Sequence, residues 1–197
     1  MKLSEKLKIA TQNAHKEIEK SHYFKRLLST DLTVEEYVHI LCLWKSFLTP
    51  IEASWQKHAE SNLIFSTINQ RGKTYRLKLD IDNLGKFYHL TNSSGAGKKL
   101  LANDFDVQNP LSLISSLYVI EGSTMGAMHI VKQLMKFDFC LENTTHFYTH
   151  YAEATVAMWQ ACKMELDHWG DENPNLHDQV CDGAVHCFQS LGNHFNG

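Results

Sequence analysis

The most apolar tract of the chain, residues 111–135, carries Glu121 near its middle, Ser, Thr and His along its length, and two glycines, Gly122 and Gly126. A carboxylate and so many polar groups would be expensive in lipid, so the tract is expected to be a helix through a protein interior rather than a membrane span. Each glycine there costs roughly 1 kcal/mol against alanine. Four residues apart, the two share one helix face. Two demands could justify them: close approach of a second helix through a small-xxx-small contact, or room for a flat ligand against bare backbone.

The rest of the chain is punctuated for helices. Two of its three prolines follow asparagine, at Asn109-Pro110 and Asn173-Pro174, matching an N-cap followed by proline at the first helical position. Thr33 and Glu36 have capping-box spacing, and Leu32 can staple onto Tyr37. Pro50 is expected to kink or end the helix that follows. Helices are expected over 4–20, 33–57, 74–88, 110–137, 145–169 and 174–195, with 91–98 a loop. No run alternates long enough for a sheet, and no repeat is visible. The expected fold is all-α, an irregular multi-helix bundle in one domain spanning 1–197.

Charge and cysteine use narrow the function. The net charge of −3 and scattered basic residues give no footprint for nucleic acid. The N-terminal segment mixes charged and apolar residues and has no apolar signal region, so a cytoplasmic protein is expected. Five cysteines, an odd number with no CxxC pair, suggest buried free thiols rather than disulfides or a zinc knuckle.

Several motifs compete. SGAGKK at 94–99 lacks the glycine and the Ser or Thr of a phosphate-binding loop, having Asn92 and Lys99 at those positions. Glu-x-x-His occurs as Glu19/His22, Glu36/His39 and Glu165/His168, the spacing di-iron bundles use. Glu36, however, is already explained by the capping box. On the first helix, Leu3, Leu7, Ala10, Ala14 and Ile18 form an apolar stripe flanked by Lys8, Thr11, His15 and Glu19. His15 therefore sits at the edge of the core, with His22 as second choice. One neutral imidazole suffices as axial ligand of haem iron if the opposite face is open. Gly122 and Gly126 could supply that opening.

Read in order, the motifs carry a family resemblance. LKIATQNAH at 7–15 with Glu19 one turn on resembles the proximal helix of haem oxygenases. YVIEGSTMGA at 118–127 resembles their distal helix, in the form found in the bacterial branch associated with bacteriophytochromes. RLKLDIDNLG at 76–85 and the final helix around Phe188 are similar to further family segments. The resemblance implies a haem oxygenase-like fold and oxidative cleavage of haem b, both substrate and cofactor, to biliverdin, carbon monoxide and iron. O₂ and electrons from an external ferredoxin or reductase are implied, since no flavin or nicotinamide fingerprint is present. A monomer or weak dimer is expected.

By the same resemblance His15 is the iron ligand, Glu19 its hydrogen-bonding partner and Lys8 a propionate anchor, with Thr11 on the same flank. Gly122, Ser123 and Gly126 form the distal segment, and Tyr118, Met125, Phe188 and Trp159 are pocket walls. The chain departs from the mammalian pattern at Ser123, where an Asp is usual, at Val119 in place of Arg, and at Ala127 in place of Gly. Residues 145–169 offer His146, Tyr148, His150 and Tyr151 where the family holds propionates with Lys and Arg. The alternatives are a haem-binding or storage protein without turnover, and a di-iron or thiamin-processing member of the same broad fold.

Overall fold

The computed structural model describes residues 1–60, 66–89 and 105–196; the loop expected at 91–98, with the SGAGKK motif, lies outside them. Among the described residues there are seven α-helices and no strand: α1 Leu3–Glu19, α2 His22–Leu27, α3 Val34–Glu60, α4 Thr74–Phe87, α5 Pro110–Leu134, α6 Thr155–Glu172 and α7 His177–Asn196. The fold is all-α.

α5 is the axis of the bundle. Residues 113–121 are buried on every side of the helix, as an all-round apolar sequence requires, and α5 packs on α3, α6 and α7. The Asn109 side chain accepts from the Leu111 backbone N–H at 3.0 Å, so this N-cap forms as expected. At Asn173 it does not. That amide donates back to the Trp169 carbonyl, and Pro174–Leu176 makes a 3₁₀ turn before α7.

The Thr33–Glu36 capping box is present in both directions, at 3.0 and 3.2 Å. Arg26 reinforces it by donating to Glu36 and to Asp31, which clips α2 to the start of α3. α2 was not expected: with six residues and Leu27 as its only fully buried side chain, its periodicity is too short to register. Pro50 neither ends nor interrupts α3. Phe47, Leu48, Ile51 and Trp55 around it are all essentially inaccessible, and burial of such side chains, each worth about 1.5–3 kcal/mol, outweighs a lost bond and a ring clash of about 3 kcal/mol.

The buried stripe of α1 is Leu3, Leu7, Thr11 and Ile18, with Ala14 half-buried beside it, so Thr11 replaces the expected Ala10, which is exposed. Thr11 can be buried because its hydroxyl donates to the Leu7 carbonyl at 2.7 Å. α1 lies along α7, and a true close-packing glycine joins the ends of these elements. A Cβ on Gly170 would stand 2.7 Å from Leu3 Cβ and 2.9 Å from His177 Nε2. Gly183 plays the same part between α7 and α5, 2.5 Å from Ser115 Oγ.

The expected helix from 145 begins only at Thr155. Two events hold 145–154 in an irregular path. The buried Asp80 carboxylate of α4 accepts the backbone N–H groups of His146 and Phe147, each at 2.8 Å, and Ala152 adopts φ 47°. Four of the five cysteines are buried as free thiols; Cys42 is exposed.

Candidate functional site

Two cavities, of about 270 and 480 Å³, meet between α1 and α5. Both are lined by His15, Glu19, Val119, Gly122 and Phe188, so together they form one slot with two lobes. The first lobe runs along Ser123, Gly126 and Ala127 toward Trp44 and Tyr148. The second opens past Lys8, Thr11, Tyr118, Met125 and Trp159.

One wall is α1. The His15 side chain is 55% exposed, and its Nδ1 lies 3.4 Å from Glu19 Oε1. That contact uses one ring nitrogen and leaves Nε2 for a ligand, the arrangement a metal-binding imidazole needs. The Phe188 ring of α7 stands edge-on to it, 5.6 Å between centroids, and limits its rotation. Lys8 is exposed at the rim of the second lobe. Thr11, at the base, acts on the Tyr118 hydroxyl and offsets part of the upward push that burial gives that phenol. His22 is exposed on α2, packs against Tyr23 and lines neither lobe.

The facing wall is α5, and its glycines are not there for helix packing. A Cβ on Gly126 would meet nothing within 4 Å, and one on Gly122 would touch only the Trp159 ring, at an ordinary 3.5 Å. No neighbouring backbone requires either glycine. What they keep clear is the slot. Ser123 and Thr124 donate their hydroxyls to their own helix, to Ile120 and Glu121 carbonyls at 2.7 and 2.6 Å. They therefore offer a ligand acceptor oxygens rather than free O–H groups.

Behind the glycines lies a charged cluster that sequence reasoning did not assemble. Glu121 is fully buried and receives Arg71 at 2.7 Å, the Lys73 ammonium, and the Tyr151 hydroxyl at 3.0 and 3.1 Å. Arg71 also reaches Glu165 at 3.0 Å, which Thr67 supports. Glu52 of α3 accepts from the backbone N–H groups of Lys73 and Thr74, capping α4 from outside. The available signal was Glu121 itself: a carboxylate in the most apolar tract requires buried cations, and Arg71 and Lys73 flank a glycine just before α4. Lys73 and Tyr151 also line the first lobe.

The resemblance left 145–169 without basic groups for a carboxylate, yet Lys163 on α6 lines the second lobe beside Lys8 and Lys16, its ammonium 5.6 Å from the Trp159 ring centroid. Tyr148, His150 and Tyr151 line the first lobe instead, from the irregular segment. Of the Glu-x-x-His pairs, Glu36 is bound to Arg26 and Glu165 to Arg71, while His168 is exposed and faces Glu172. No group of three or more His, Cys, Asp or Glu converges among the described residues. Nor is any helix among them long and apolar enough to cross a membrane.

An imidazole held by a carboxylate, facing glycine backbone across an apolar slot with cations at its rim, suits a flat, anionic, iron-bearing macrocycle. All-α fold and slot together define a helical protein with a site for a flat, anionic ligand. The family model described as Heme oxygenase matches residues 1–196, and the chain belongs to that family. Comparison with curated proteins gives no match.

Proposed function

We propose that this chain, acting as one domain over 1–197, cleaves haem b to biliverdin, carbon monoxide and iron in the cytoplasm, as a monomer or weak dimer. It would use O₂ and electrons from an external ferredoxin or reductase. The observation that carries this reading is the pairing of His15 with Gly122 and Gly126 across one slot, where an added side chain on Gly126 would meet only open space. When bound, the iron of haem supplies oxygen activation beside the ring that is to be opened.

The residues divide the work. His15 Nε2 would hold the iron, with Glu19 at Nδ1 orienting the ring. Lys8 and Lys163, at the water-facing rim, would pair with the propionates. Gly122 and Gly126 keep the opposite face free. Phe188, Tyr118 and Met125 exclude water from the slot. The distal polar surface that the mammalian kind builds with an Asp would fall here to the Ser123 and Thr124 oxygens.

Adding hemin to the purified protein and recording its absorption spectrum tests the binding half. His15→Ala should abolish the histidyl haem spectrum and His22→Ala should leave it; the reverse result overturns the ligand assignment. Ascorbate or a ferredoxin system should then convert the Soret band to a biliverdin spectrum. A haem-binding protein without turnover is the second reading, favoured by the fact that the Ser123 and Thr124 hydroxyls are both committed to helix carbonyls. A stable oxy spectrum under the same conditions would select it.

A further inference from the structure

The first lobe passes from an exposed rim at Glu19, Gly126 and His129 to a buried end formed by Trp44, Phe147, Tyr148 and Leu191. At that end two polar groups are left over. Trp44 is 3% exposed and Tyr148 7%, and neither the indole Nε1 nor the phenol oxygen has a hydrogen-bond partner. They are neighbours: the Trp44 N–H counters part of the upward push that burial gives the Tyr148 phenol, although the two do not reach hydrogen-bonding geometry. Buried polar groups are satisfied in the large majority of cases, and an idle donor is costly. Two donors side by side at the end of a ligand cavity, neither in full hydrogen-bond geometry, mark a place for an acceptor.

We infer that Trp44 and Tyr148 form a subsite for a carbonyl oxygen of the open-chain tetrapyrrole product; this rests on the haem-cleaving function proposed above. The edge of an intact porphyrin at a meso position is carbon and hydrogen, and offers these donors nothing. Ring opening removes that carbon and leaves a carbonyl oxygen on each flanking pyrrole. The donors therefore match the product and not the substrate, and act on how the opened ring is held. A propionate is the poorer occupant. Phe24, Phe147 and Leu191 surround the spot, and Lys73, the cation of this lobe, is already bound to Glu121, so a carboxylate there would be a buried, unpaired charge. His150, also on this lobe, has an idle Nδ1 that can accept a pyrrole or lactam N–H. The meso carbon that is cut is then the one carried to this end of the slot.

The test is a pair of absorption titrations, with hemin and with iron-free biliverdin, on the wild-type protein, Tyr148→Phe and Trp44→Phe. Tyr148→Phe keeps the ring and removes a hydroxyl with no partner, so the fold is retained. Each variant should raise the ratio of the biliverdin Kd to the hemin Kd by about 5–10-fold, the effect of one hydrogen bond. Propionates are common to both ligands, so an unchanged ratio in both variants means that the donors serve a propionate or a water and overturns the subsite alone. Wild-type protein that binds hemin but not biliverdin overturns it as well. A wild-type protein that binds no hemin overturns the functional reading and the subsite with it.

Discussion

The glycines of this chain separate by what surrounds them. Gly183 and Gly170 leave no room for a methyl group, whereas Gly126 faces open space and Gly122 a single indole. Substitution should distinguish the two kinds. Gly183→Ala forces Ser115 and its helix to shift and should lower stability by about 1–3 kcal/mol in urea unfolding. Gly126→Ala meets no atom and should raise stability by up to about 1 kcal/mol through helix propensity alone. Gly126→Leu should fold equally well and yet weaken hemin binding. A glycine whose replacement stabilises the fold while damaging the ligand site is one retained for the ligand.

At the scale of elements, the segment 145–154 shows how a polar anchor can overrule local preference. Asp80 is fully buried and holds the His146 and Phe147 N–H groups; burial nevertheless raises its carboxyl to about 6, against the opposing pull of those hydrogen bonds. A carboxyl that titrates higher in the folded state favours folding most at low pH. Its contribution is lost as pH rises from about 4 to about 6, on the order of 2–3 kcal/mol. Urea midpoints compared between wild type and Asp80→Asn over pH 4–7 should therefore diverge across that interval and run parallel above it. The same anchor explains why a helix from 145 was the wrong expectation: nothing within 145–154 announces a carboxylate 66 positions away along the chain. The long helices α1, α3, α4, α5 and α7 were legible because periodicity and caps are local. Trp44 and Tyr148 were not legible as a pair, since only folding brings α3 against the irregular segment.

The molecule as a whole is tied together through one carboxylate. Glu121 on α5 receives Arg71 and Lys73 from the approach to α4 and Tyr151 from the approach to α6, and Arg71 passes the connection to Glu165 on α6. Exchanging this cluster for apolar groups could be neutral, but removing one charge is not. Glu121→Ala should cost about 3–5 kcal/mol, because the buried Lys73 loses its counter-charge and Arg71 keeps only Glu165, and Glu121→Gln somewhat less. Thermal or urea unfolding would show it. Failure of Glu121→Ala to destabilise would mean that Arg71 and Lys73 find water instead.

α1 and α7, the first and last helices, lie side by side, and the ring of Phe188 rests against His15. His15 and Phe188 stand far apart in sequence, so this half of the slot closes only when the long-range packing of α7 on α1 has formed. A chain interrupted before α7 would carry His15 without the ring that rests against it. On the proposed function, haem capture would follow the docking of α7 on α1, which places the loading of a reactive cofactor after closure of the bundle.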